Sequence, residues 1–128
     1  MSESGSRSVD ESIFTVDTLL KYMGNDQEAI AVVSRIVTDA LETGNQLFDV
    51  ASGSLHTSRY DEAAHAFHGL RGSVGTLGTK RFIAACFAVE VAIREQRLND
   101  FVDLLTIAQQ EFKLVTEHAT AWLRINKL

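Results

Sequence analysis

One stretch of the chain concentrates reactive and permissive residues: His65-Ala-Phe-His68-Gly-Leu-Arg71-Gly72-Ser-Val-Gly75-Thr-Leu-Gly78, with glycine at 69, 72, 75 and 78. A neutral imidazole is a nucleophile that titrates at about pH 6.5, and histidine forms covalent phosphoryl intermediates. A guanidinium one turn away can hold phosphoryl oxygens through charge-assisted hydrogen bonds. Glycines on the same face would let a partner's active site approach the ring. Phosphoryl transfer depends chiefly on such positioning and charge neutralisation. The sequence carries no nucleotide-binding P-loop and no kinase glycine loop, so a histidine used this way would relay a group delivered by another protein.

The helical wheel supports an outward His68. At about 100° per residue, Ala63, Ala66, Phe67, Leu70, Val74 and Leu77 gather in one sector that must face a core. His68 points to the opposite side, Gly72 and Gly75 fall within about 40° of it, and Arg71 lies about 60° away. Interior glycine costs about 1 kcal/mol each relative to alanine, so three inside one helix need a compensating reason.

The pattern His68-Gly-Leu-Arg71-Gly72 followed by Gly78, with Cys86 and Glu90 in the next predicted helix, resembles the histidine-containing phosphotransfer (HPt) domain family. That family's signature is His-x-x-Lys-Gly with a later glycine, inside a four-helix bundle. The resemblance implies that His68 is the phosphoacceptor, Arg71 the basic phosphate neighbour, Gly72 the clearance position and Gly78 the turn glycine. It further implies a docking surface around them from Ala64, His65, Gly69, Gly72 and Gly75. The implied partners are receiver domains of response regulators or of a hybrid sensor kinase, with Mg2+ bound by the receiver and no cofactor bound by this chain. Arginine stands where lysine is commoner, and Gly69 is smaller than usual. The motif covers about residues 61–90.

The elements that must position these residues are helical. With no proline in 128 residues, no helix interior is interrupted by that residue. Apolar positions recur at threes and fours from Asn25 to about Val50, with Asn25 as cap and Glu28 three residues on. Ser52 to Thr57 reads as a loop, with Gly53 left-handed and Ser58 capping the next helix. A third helix follows from about Arg59 to Leu77, Gly78-Thr79 marks an end and restart, and a fourth runs to about Gln96. Phe101, Leu104, Leu105, Ala108, Phe112, Val115, Ala119 and Trp122 define a last helix from about Asn99 to Ile125. Phe14 to Met23 forms a shorter one. The expectation is an all-α, up-down-up-down antiparallel four-helix bundle with a short additional N-terminal helix, over residues 13–128, preceded by a flexible tail over residues 1–12.

Composition narrows the partners. Twelve Lys and Arg against 17 Asp and Glu give a net charge of -5, and no basic cluster offers a footprint for nucleic acid or an anionic membrane. The single Cys86 forms no internal disulfide, which fits a reducing compartment. The serine-rich start has no apolar run for a secretion signal or a membrane span. A cytoplasmic monomer is expected, tethered at the membrane if part of a hybrid sensor kinase.

Other readings compete. A docking bundle would use the same bare face without being phosphorylated. A metal-binding bundle would use Asp61, His65 and His68, which share one helix face, although one face seldom closes a zinc sphere. His65 reads as a bystander, because the residue three positions on is histidine and not a cation. His56 is placed in a loop and His118 on the last helix, both solvated or capping. Cys86 and Glu90 read as a buried thiol beside a helix-rim carboxylate, and Trp122 as core filler.

Overall fold

The computed structural model describes residues 10–126, and every regular element among them is helical. Five α-helices follow in order: α1 (Asp17–Tyr22), α2 (Gln27–His56), α3 (Tyr60–Ser73), α4 (Lys80–Arg94) and α5 (Phe101–Ile125). Short 3-10 turns at Val74–Leu77 and Leu98–Asp100 close α3 and open α5. α2 packs on α3, α3 on α4 and α4 on α5, and α5 returns to α2, so the four long helices surround one core.

Each long helix contributes one phenylalanine to the centre of that core. Phe48 of α2 meets Phe67 of α3 edge-on with ring centroids 6.0 Å apart and stacks on Phe112 of α5 at 5.5 Å. Phe82 of α4 lies 5.3 Å from Phe112. Burying a side chain of this size contributes about 1.5–3 kcal/mol, so the cluster is a principal tie between helices that adjoin only in pairs. Gly44 of α2 admits the close packing: a Cβ there would lie 2.9 Å from Val74 Cγ2 and 3.1 Å from the Phe112 ring.

Helix limits differ from the sequence reading in ways packing explains. α2 does not stop near Val50. It runs on to His56, because Ala51, Ser54 and Leu55 extend the buried stripe and outweigh the loop-like composition of 52–57. Gly53 is therefore helical, and the left-handed residue that ends the helix is Ser58. Arg59 then occupies the cap position of α3. At the start of α2 the cap moves from Asn25, which is left-handed, to Asp26, whose extended backbone lets its carboxylate accept from the Ala29 amide at 2.9 Å. α4 ends at Arg94, before Gln96, which is also left-handed.

The segment before α1 is a non-helical strap that opens with a turn over 11–13, where the Ile13 amide donates to Asp10 O at 3.0 Å, and the helix expected from Phe14 begins only at Asp17. Its backbone is engaged elsewhere: the Thr15 amide donates to Leu77 O at 2.9 Å, and the Arg81 amide donates to Ser12 O at 3.0 Å. Ile13, Phe14 and Val16 are buried under the junction of α3 and α4. Arg81 adds side-chain bonds to Asp10 and to Glu111 of α5, at 3.1 and 2.8 Å. The tail expected over residues 1–12 lies outside the described residues up to position 9, and Asp10 to Ser12 belong to this strap.

Gly78 forms the turn beneath the strap. Its φ is +65°, and a Cβ there would come within 2.6 Å of Thr15 O. Gly78→Ala should therefore lower stability by about 1–3 kcal/mol, whereas Gly53→Ala, in open space on a helix, should raise it by roughly 0.5–1 kcal/mol. Denaturant unfolding followed by circular dichroism reads both.

Candidate functional site

α3 turns one face wholly inward. Ala63, Phe67, Leu70 and Val74 have no exposed surface and Ala66 has almost none, which leaves His68 on the outer side with 70% of its side chain exposed. The ring is adjacent in sequence to the most deeply packed aromatic of the helix, so its backbone is held firmly while its tip meets solvent.

Two residues, one from each of α3 and α4, flank the ring. Arg71, one turn on, brings Nη2 to 3.0 Å from His68 Nδ1. The same guanidinium forks onto Glu90 of α4, Nε to Oε2 at 2.5 Å and Nη2 to Oε1 at 3.1 Å. Its central carbon lies over the Phe87 ring at 5.1 Å, one turn before Glu90. Arg71 is 26% exposed and Glu90 only 12%, so the pair is half withdrawn from water. Hydrogen bonding to Glu90, ahead of the coulombic attraction, raises the Arg71 pKa and keeps it cationic. Lysine could not reproduce this arrangement, since only a planar guanidinium can fork a carboxylate, reach a second acceptor and lie on an aromatic face together.

The glycine row divides by function. A Cβ on Gly72 would meet nothing within 4 Å, so the backbone beside His68 is bare. Gly69 and Gly75 are different: a Cβ would lie 3.4 Å from Leu47 Cδ1 in the first case and 3.1 Å from Ile83 Cδ1 in the second. Gly75 moreover belongs to the 3-10 turn, where the α-helical wheel no longer applies. Gly75 is half-exposed, and its small size also serves packing against Ile83 of α4.

Ala64 with Tyr60, Asp61, Arg71, Phe87 and Glu90 lines an open groove between α3 and α4 that includes the Arg71–Glu90 pair. On the other side His65 is exposed beside a shallow apolar hollow formed with Leu47 and Val50. His56 is the last residue of α2 and not a loop residue. Its Nδ1 lies 2.7 Å from Ser52 O, and His118 Nδ1 lies 2.9 Å from Leu114 O, so each ring is tied to its own helix. Among the described residues, Asp61, His65 and His68 do not converge as ligands, and no group of three or more His, Cys, Asp or Glu could hold a metal ion. No helix among them is long and apolar enough to cross a membrane.

Glu90 was legible only as an acidic residue in the family's pattern, and its partnership with Arg71 was not. A signal existed: a carboxylate between Val89 and Val91, on a helix otherwise rich in apolar residues, needs a cation from a neighbouring helix. Phe87, an aromatic left 47% exposed on the same face, had no such signal.

These features define a class of protein: an all-helical bundle that presents one histidine to solvent beside a fixed cation and uncovered backbone. The family model described as the Hpt domain matches residues 35–122, and the chain belongs to that family. No curated protein and no solved structure matches it. Hpt domains are relay modules for histidine phosphotransfer in two-component phosphorelays, where they interact with receiver domains, and generally are not independent enzymes.

Behind the site, Cys86 is buried and its pKa is pushed up to about 12, first by burial, then by the Glu90 carboxylate, with Arg71 partly opposing. Since the thiolate is the reactive form, this thiol should resist iodoacetamide in the folded protein at pH 8 and react readily once the chain is unfolded. Mass spectrometry of the alkylated fraction checks this.

Proposed function

We propose that this chain is a phosphorelay intermediate whose phosphoacceptor is His68. In the reaction the lone pair of a ring nitrogen attacks the phosphorus of a receiver's aspartyl phosphate. The P–O bond to the aspartate breaks, the carboxylate leaves with the electron pair, and the group later passes to a second receiver by the reverse sequence. Magnesium belongs to the receiver. Arg71 supplies positive charge next to the transferred group, and Gly72 supplies clearance for the receiver's active site, with Ala64, His65 and Gly69 around it. The four long helices are read as an up-down-up-down bundle. The chain is read as a cytoplasmic bacterial monomer or as a module of a hybrid sensor kinase.

The observation that carries the proposal is the exposed ring next to uncovered backbone at Gly72. A docking bundle that is never phosphorylated would use the same face but would not need the ring. Incubation with a phosphorylated receiver and magnesium, followed by peptide mapping, separates the two. His68→Gln should abolish uptake and His65→Gln should leave it, and the label should be lost in acid yet survive base. A docking bundle would take up no label and would bind the receiver equally well after His68→Gln.

Gly72→Ala supplies a second test. Filling that open position should stabilise α3 by about 1 kcal/mol while slowing transfer by on the order of tenfold to a hundredfold, because the reacting atoms are held apart. Transfer that is no slower in the more stable variant would remove the clearance role.

A further inference from the structure

The contacts of His68 raise a question of proton placement. A guanidinium has donors only, so Nδ1, 3.0 Å from Arg71 Nη2, must be the acceptor of that bond. In the neutral ring the proton then sits on Nε2. Neither nitrogen can attack in this arrangement: the lone pair of Nδ1 is engaged by Arg71, and Nε2 carries hydrogen. Glu90 Oε1 stands 3.6 Å from the same Nδ1, slightly beyond hydrogen-bonding distance, and a carboxylate can only accept. Two groups of opposite hydrogen-bonding character thus flank one nitrogen, and they are bound to each other.

We infer that Arg71 and Glu90 are positioning residues that compete for His68 Nδ1, and that the winner decides which ring nitrogen holds the free lone pair. With Arg71 in place the ring is the Nε2–H tautomer and is unreactive. When Arg71 leaves, Nδ1 takes a proton from water and keeps it as an N–H that hydrogen-bonds to the Glu90 carboxylate, Nε2 returns its proton to water, and the solvent-facing nitrogen becomes the nucleophile with the ring still neutral. An arriving phosphoryl group is the anion that would draw Arg71 away, and the carboxylate it leaves behind is a stronger acceptor for having lost its counterion. The inference rests on the reading of His68 as phosphoacceptor for its purpose, although the competition itself exists without phosphate.

Two-bond 1H–15N correlation spectra at pH 8 report the tautomer of each histidine directly. Arg71→Met removes the donors and keeps an apolar stem. It should raise the ratio of Nδ1–H to Nε2–H at His68 roughly tenfold, the effect of one net hydrogen bond to a charged group. Adding Glu90→Ala to that variant should lower the ratio again, to a value between those of Arg71→Met and the unaltered protein, and His65 should be unchanged throughout. An unaltered ratio in Arg71→Met overturns the inference, as does a double variant whose ratio is as high as that of Arg71→Met. Melting curves establish that both variants are folded, with Arg71→Met/Glu90→Gln, which retains an acceptor oxygen at position 90, as a second folded comparison that should keep the rise. No phosphoryl donor is present, so a chain that proved unable to take up phosphate would still report the competition.

Discussion

The burial of one face of α3 is the constraint from which the rest follows. Phe67, Leu70 and Val74 are sealed against the other helices, and an α-helix has no freedom to rotate once such a stripe is buried. His68 is thrown outward as a geometric consequence. No specific contact is required to expose it, and the contacts it does make serve to orient the ring.

Electrostatics at the site follow from the pairing of α3 with α4. Arg71 and Glu90 come from different helices, and their fork fixes the register of the two at the level of the ring. A partly buried pair of this kind contributes little net stability, because desolvation offsets much of the attraction. Its value lies in geometry: it holds a cation at a set distance from an imidazole that would otherwise have only solvent around it. Phe87 adds an aromatic floor on which the guanidinium rests.

Much of this was legible in the sequence, and the exceptions have physical causes. The inward face of α3, the span of α5 and the turn at Gly78 were readable because they depend on local periodicity and on one left-handed residue. The end of α2 was misread because Ser52, Gly53 and Ser54 have loop-like composition, a bias of about 1 kcal/mol per glycine that burial of Ala51 and Leu55 overcomes. Of the two glycines read onto the outward face with His68, Gly72 is open, whereas Gly75 also packs closely on Ile83 of α4. The Arg71–Glu90 fork was out of reach for the same reason: it depends on how two helices slide against one another, and a wheel describes one helix at a time.

The strap ahead of α1 makes its contacts at long range along the chain. Its binding surface, the Leu77 carbonyl and the bare Cα of Gly78, exists only after α3 and α4 have folded back on each other. The Thr15–Leu77 bond joins positions separated by the whole of α1, α2 and α3, so it closes a far longer loop than the turn between α3 and α4 does. Ile13, Phe14 and Val16 are all sealed at this seam, so peeling it away would wet apolar side chains at the end of the bundle without touching the face that carries the histidine.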